Sequence, residues 1–106
     1  MTAKSRRILP AADADIDSQI LFFKKRDESL AVRYFKAVQR AIDALVEMPS
    51  MGSPVRVPSI KDRNLRKWPV TGFPNALIFY RELSDSVEIV RVLNASQNWW
   101  LLLGDF

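Results

Sequence analysis

Asn64-Leu-Arg-Lys-Trp-Pro-Val-Thr-Gly-Phe-Pro-Asn-Ala-Leu-Ile-Phe-Tyr-Arg-Glu-Leu-Ser-Asp-Ser-Val-Glu-Ile-Val-Arg-Val-Leu93 is the stretch whose reading decides the fold. It holds three strand-like runs, at residues 64–70, 76–81 and 87–93, each rich in aromatic or β-branched residues. Gly72-Phe73-Pro74 enters the second run. Leu83-Ser84-Asp85-Ser86, a set of turn formers, separates it from the third. Pro69 lacks a ladder donor and demotes the first run to an edge strand or a bulge. In the third run Val87, Ile89 and Leu93 are placed on one face, and Val90 and Val92 on the other. Apolar residues on both faces predict a central strand. Strands that follow one another through short turns make an antiparallel meander.

Upstream the hydrophobic period changes from two to about 3.6. Ser5 to Leu9 reads as a short first strand closed by Pro10. Asp13 is read as the N-cap of a first helix, with Asp15 and Asp17 in its first turn, where carboxylates complement the positive helix end. Ile16, Ile20 and Phe23 form its apolar face, and Lys24-Lys25-Arg26 its basic last turn. Asp27 is read as the cap of a second helix. Its stripe is Leu30, Tyr34, Val38, Ala41 and Leu45, flanked by Phe35 and Ile42, and Pro49 stops it. The short link predicts an antiparallel helical hairpin. Residues 51–61, with Gly52, Pro54 and Pro58, read as a loop containing a short extended piece. The expected class is α+β, an antiparallel sheet of three to four strands packed against an N-terminal two-helix hairpin, as one domain over residues 1–106. Ile16, Ile20, Phe23, Leu30, Tyr34, Val38 and Leu45 are expected to meet sheet residues such as Leu77, Phe79, Ile89 or Val90.

The composition excludes several chemistries. Among the 106 residues there is no cysteine, so a disulfide, a thiolate metal site and a cysteine nucleophile are impossible. There is no histidine either, which removes the usual general base near neutral pH and the commonest metal ligand. No metal and no cofactor is expected. Arg6 and Arg7 are not followed by an apolar run, so the N-terminus does not read as a signal peptide. No stretch reaches the roughly 20 apolar residues of a membrane span, so no membrane partner is expected. A net charge of +4 favours a polyanionic partner, nucleic acid or acidic protein, only where the charges cluster.

They cluster in Arg56, Lys61, Arg63, Arg66 and Lys67, a run suited to carboxylates or phosphates, or equally to a solvated edge strand. Arg81 and Arg91 interrupt apolar strands. They either line a binding face or snorkel at the sheet edge. Trp99-Trp100-Leu101-Leu102-Leu103 is read as a last helical turn or packed extension. Neighbouring residues point in different directions, so both indoles are not expected to be buried together. The remainder suits an interface.

Two features upstream extend the pattern already quoted. Leu45-Val46-Glu47-Met48-Pro49 closes the helical run and Gly52 follows; then come 64–70, Gly72 to Arg81 and Val87 to Leu93. This ordered series resembles the ParE branch of the ParE/RelE toxin superfamily over about residues 14–103. The resemblance implies a toxin of a type II toxin–antitoxin pair, active in the cytoplasm. It would inhibit DNA gyrase by binding, be neutralised by a cognate antitoxin in a hetero-oligomer, and touch DNA only indirectly through that antitoxin. The chain departs from the family after Arg91-Val92-Leu93. Asn94 stands at the position where relatives carry His, and Gln97 and Asn98 where they carry Arg-Asp. The RelE-type ribonuclease Arg and Tyr positions align with Leu77 and one of Leu101 to Leu103. These substitutions, with the absence of histidine, speak against a ribosome-dependent mRNA endonuclease, which stands as the alternative reading; a family member that only binds antitoxin is a third. Target or antitoxin contact is expected at Arg63, Arg66, Lys67, Arg81, Arg91, Asn94, Trp99 and Trp100, with no catalytic residue assigned.

Overall fold

The computed structural model describes residues 4–56 and 64–103. Among them the order is β1 (Ser5–Ile8), α1 (Pro10–Lys24), α2 (Glu28–Glu47), a 3-10 turn (Pro49–Met51), β2 (Ser53–Pro54), β3 (Leu65–Val70), β4 (Phe73–Glu82), β5 (Ser86–Asn94) and α3 (Trp99–Leu102). The sheet has five strands in the order β1-β5-β4-β3-β2.

The α+β class is as expected, with two differences in the sheet. It is mixed, because β1 pairs with β5 in parallel, from Ser5 opposite Ser86 to Ile8 opposite Ile89. It also gains a fifth strand, the two-residue β2, which pairs with Arg66 and Lys67 and so covers β3. Pro69 marks a bulge, at Pro69/Val70, beyond the two β3 residues that β2 covers, where its missing N–H breaks no pairing with β2.

α1 begins three residues before the expected cap. Pro10 takes the first helical position, where its missing N–H costs nothing and its fixed φ suits the helix. Asp13 lies within the first turn and donates its N–H to the Leu9 carbonyl at 3.0 Å. α2 is capped as expected: Asp27 Oδ1 accepts from the Ser29 N–H at 2.9 Å and the Ser29 hydroxyl at 2.7 Å. Those bonds favour the charged carboxylate and lower its pKa. The β3–β4 turn is made by Thr71 and Gly72. Gly72 has φ +87°, the left-handed region that favours glycine.

The hairpin packs on one face of the sheet. Ile16, Tyr34, Val38, Ile42 and Leu45 are buried with Ile78, Tyr80, Val87, Ile89 and Val92. Ile20 and Phe23 are half-buried against them. The second cluster contains Val55, Leu65, Phe79, Val90, Leu93 and Leu103, joined by Leu77 and Trp99.

Of the four sheet partners expected for the hairpin, Ile89 alone belongs to its cluster. Leu77, Phe79 and Val90 belong to the other, and Ile78 and Tyr80 take their place. Alternation separates them: Leu77 and Phe79 face away from Ile78 and Tyr80, and Val90 away from Ile89. β5 also carries a bulge. Phe79 pairs with Arg91 and Tyr80 with Ile89, which leaves Val90 as the extra residue. Beyond it the faces exchange, so Val92 joins the hairpin side and Leu93 the other, the reverse of strict alternation.

Candidate interaction surface

The expected contact residues divide among different local roles. Arg63 lies outside the described residues, as does Lys61. Arg66 reaches back to the chain after α2: its Nη1 donates to the Gly52 carbonyl at 2.6 Å and the Ser50 carbonyl at 3.3 Å. The same segment is held by Tyr80, whose hydroxyl donates to the Pro49 carbonyl and accepts from the Gly52 N–H, both at 2.7 Å. Burial pushes the Tyr80 pKa up, with the Gly52 N–H and the Arg66 charge pulling against it. Gly52 is required there, because a Cβ would stand 2.8 Å from the Lys67 carbonyl and collide with the Tyr80 hydroxyl.

Arg81 lies on β4 opposite Glu88 on β5, and Glu88 is opposite Arg7 on β1. Arg81 Nε donates to Glu88 Oε1 at 2.7 Å and its Nη2 lies 2.6 Å from the same oxygen. Arg7 Nε is 3.9 Å from Glu88 Oε2. One buried carboxylate thus sits between two guanidiniums, and Arg7 remains largely exposed. Lys67 places its Nζ 5.0 Å from the centroid of the Trp99 ring, and that ring packs on Phe79 at 5.2 Å. Trp100 stands edge-on to Trp99, with ring centroids 5.5 Å apart at 80°. It forms with Leu101 and Leu102 an exposed apolar patch, the three being 40%, 66% and 41% exposed. One indole is therefore half-buried and its neighbour more exposed, so the two are not buried together, as expected from their adjacency.

Asn94 is engaged in a turn: its Oδ1 accepts from the Ser96 N–H and hydroxyl at 2.9 and 2.8 Å, and its own N–H donates to Gln97 Oε1 at 3.0 Å. Arg91 bonds Asp15 through Nε and Nη2, at 2.7 and 2.8 Å, and its Nη1 lies 3.4 Å from the Leu102 carbonyl. These bonds raise the Arg91 pKa. The pair borders a cleft of about 740 Å³ between α1 and the adjoining ends of β4 and β5, with Phe22 and Leu102 among its apolar lining. Tyr34 also lines it; burial and then the Asp15 charge push its pKa up to about 12.

Sequence reasoning missed Asp15 and Glu88 as partners. Asp15 read as a helix-start residue, whereas it joins a strand 76 positions away. Among the described residues no three acidic side chains gather in a way that could hold a metal ion.

Residues 7–99 match the family described as "ParE toxin of type II toxin-antitoxin system, parDE". The chain belongs to this family. It is also 35% identical over 78 residues to a Sinorhizobium fredii protein named "Putative toxin Y4kP", a match covering 74% of each chain. A solved structure described as "Chromosomal ParDE TA system from P. aeruginosa" superposes with a TM-score of 0.73 at 14% identity. It covers 89% of this chain and 98% of that one, and at this identity the likeness speaks for the fold. No helix among the described residues of this ParE-family chain is long and apolar enough to cross a membrane.

Proposed function

We propose that this ParE-family chain is the toxin of a type II pair that arrests growth by binding an essential target in the cytoplasm, DNA gyrase by family expectation, and that a cognate antitoxin neutralises it. The observation that carries the reading is the family match along residues 7–99. The surface supports binding rather than catalysis. It offers guanidiniums and an apolar patch at Trp100, Leu101 and Leu102, while Arg81 and Arg91 each already hold a carboxylate. Such a surface suits an acidic, amphipathic partner segment that orders on binding and recovers the ordering cost through its contacts.

The test is supercoiling of relaxed plasmid by purified gyrase in the presence of the purified chain. Inhibition that is relieved by the protein encoded beside the gene supports the reading, and full supercoiling at excess chain rejects gyrase as the target. Primer extension on a translated message is the parallel arm, in which codon-specific cuts favour the endonuclease. One observation favours a second reading, a member that binds antitoxin without poisoning a target. Asn94 and Gln97, at positions where the family carries His and Arg, are engaged in closing their own turn.

A further inference from the structure

Tyr34 is the most deeply buried polar side chain lining the cleft beside Asp15 and Arg91, at 1% exposure. Its hydroxyl has no hydrogen bond among the described residues. It is not sealed off as the Ser86 hydroxyl is, so it opens onto the cleft. A polar group this buried ordinarily has a partner, and here the cleft is where one would stand. With its pKa pushed up to about 12, the phenol keeps its proton and can donate it. Its ring is part of an aromatic wall. Phe23, Tyr34 and Phe73 pack pairwise with centroids 5.3 to 5.7 Å apart, and Phe22 lies 5.8 Å from Phe23. The two charged lining residues, Asp15 and Arg91, hold each other. Among the lining carboxamides, those of Asn94 and Gln97 are spent in their own turn. Those of Gln19 and Asn75 carry no hydrogen bond among the described residues.

We infer that this cleft is a small-molecule site for an uncharged, planar heteroaromatic ring with a lactam edge, the chemistry of an oxo-nucleobase. A ring carbonyl accepts from the Tyr34 hydroxyl, the lactam N–H and C=O pair with the Gln19 carboxamide, and the ring packs on the aromatic wall. The volume, about 740 Å³, lies in the range of small-molecule pockets. A carboxamide presents a donor and an acceptor side by side, which a lactam matches in two parallel bonds. An aliphatic occupant would leave both the Tyr34 hydroxyl and Gln19 unpaired, at a desolvation cost. An ionic occupant would meet no free counter-charge. Arg91 spends Nε and Nη2 on Asp15, and its Nη1 faces the Leu102 carbonyl at 3.4 Å. The four rings select a flat aromatic body, because offset and edge-on ring contacts add to simple burial. The inference involves no macromolecular partner and stands apart from the toxin reading.

The experiment is isothermal titration calorimetry of the full chain with uridine. A Kd on the order of 0.1–1 mM is expected for a ligand of this size. Uridine methylated at the lactam nitrogen should bind at least about fivefold more weakly. Benzyl alcohol, a ring without a lactam, should not saturate in the same range. Uridine monophosphate should bind no tighter than uridine. Tyr34→Phe should weaken uridine binding about three- to tenfold. It should do so without lowering the melting temperature of the free chain, because the hydroxyl has no internal bond to lose. Gln19→Leu should weaken binding by a similar factor. Glu47→Gln, exposed at the end of α2, should leave it within about twofold. If Tyr34→Phe does not fold, Gln19→Leu and the methylated ligand decide the matter. The inference is overturned by an absence of saturable uridine binding, by equal binding of the methylated ligand, or by undiminished affinity in either cleft variant. Saturation by benzyl alcohol overturns it too, by reducing the site to an apolar one. Uridine monophosphate binding about tenfold tighter than uridine would reassign the cleft to an anion.

Discussion

Asp15 and Arg91 join α1 to β5 through two parallel hydrogen bonds, Nε to Oδ2 at 2.7 Å and Nη2 to Oδ1 at 2.8 Å. The position follows from the sheet. β1 ends opposite Ile89, and its last contribution is the Leu9 N–H to the Ile89 carbonyl at 3.0 Å. Beyond that point Asp15 Oδ2 accepts the Val92 N–H at 3.0 Å, supplying the acceptor that a longer β1 would have provided. Asp15→Ala leaves a mostly buried guanidinium and a strand N–H without acceptors. It should destabilise the fold by about 2–4 kcal/mol, read as a shift in the urea midpoint. A double-mutant cycle with Arg91→Ala should show coupling above about 1 kcal/mol, and additivity would mean that the pair contributes nothing as a pair.

Tyr80 and Gly52 form the second long-range tie. Tyr80→Phe removes the donor to the Pro49 carbonyl and leaves the Gly52 N–H without its acceptor, at an expected cost of about 1–3 kcal/mol. Gly52→Ala should cost at least as much, because backbone at Lys67 must move. A melting temperature unchanged in both variants would exclude this tie as a stabilising element.

Leu45, on the inner face of α2, is fully buried. Leu45→Ala should lose about 2–5 kcal/mol through lost transfer energy and the cavity left behind. The check is chemical denaturation, and an unchanged midpoint would contradict the packing of α2 on the sheet.

Stability should fall at high pH. Tyr34 has a folded pKa of about 12 against an ordinary value of 10.0. Its contribution is therefore whole below about pH 10 and is lost as pH rises through about 12, amounting to roughly 3 kcal/mol. Tyr80 shifts in the same direction. The unfolding free energy of Tyr34→Phe should decline less steeply between those limits than that of the wild type, and parallel curves would count against burial as the cause.

Local signals in the chain were read correctly where local physics decides. The Asp27 cap, the stripe of Tyr34, Val38, Ala41, Ile42 and Leu45 on α2, the three C-terminal strands and the unequal exposure of Trp99 and Trp100 follow from spacing and side-chain type. Leu30 and Phe35, expected on the same stripe, lie outside the core because they sit at its margins. The bulge at Val90 was not legible, because Val87 to Leu93 is apolar on both faces and a one-residue slip leaves the pattern unchanged. Neither was the partner of Ser5 to Ile8, since parallel pairing with β5 is chosen across some 80 residues. The same distance hid Asp15, whose local reading as a helix-start acid is physically sound and incomplete. Arg66, Arg81 and Arg91 were legible as cations in strands, while the carbonyls and carboxylates they hold come from elsewhere in the fold.

The most direct measurement of the central claim is colony formation after inducing this chain alone and together with the protein encoded beside its gene. The account predicts that viability falls by orders of magnitude with the chain alone and returns with the partner, and that the partner raises the melting temperature of the purified chain by mass action. Undiminished viability with the folded chain expressed alone, or arrest that the partner leaves untouched, would contradict it.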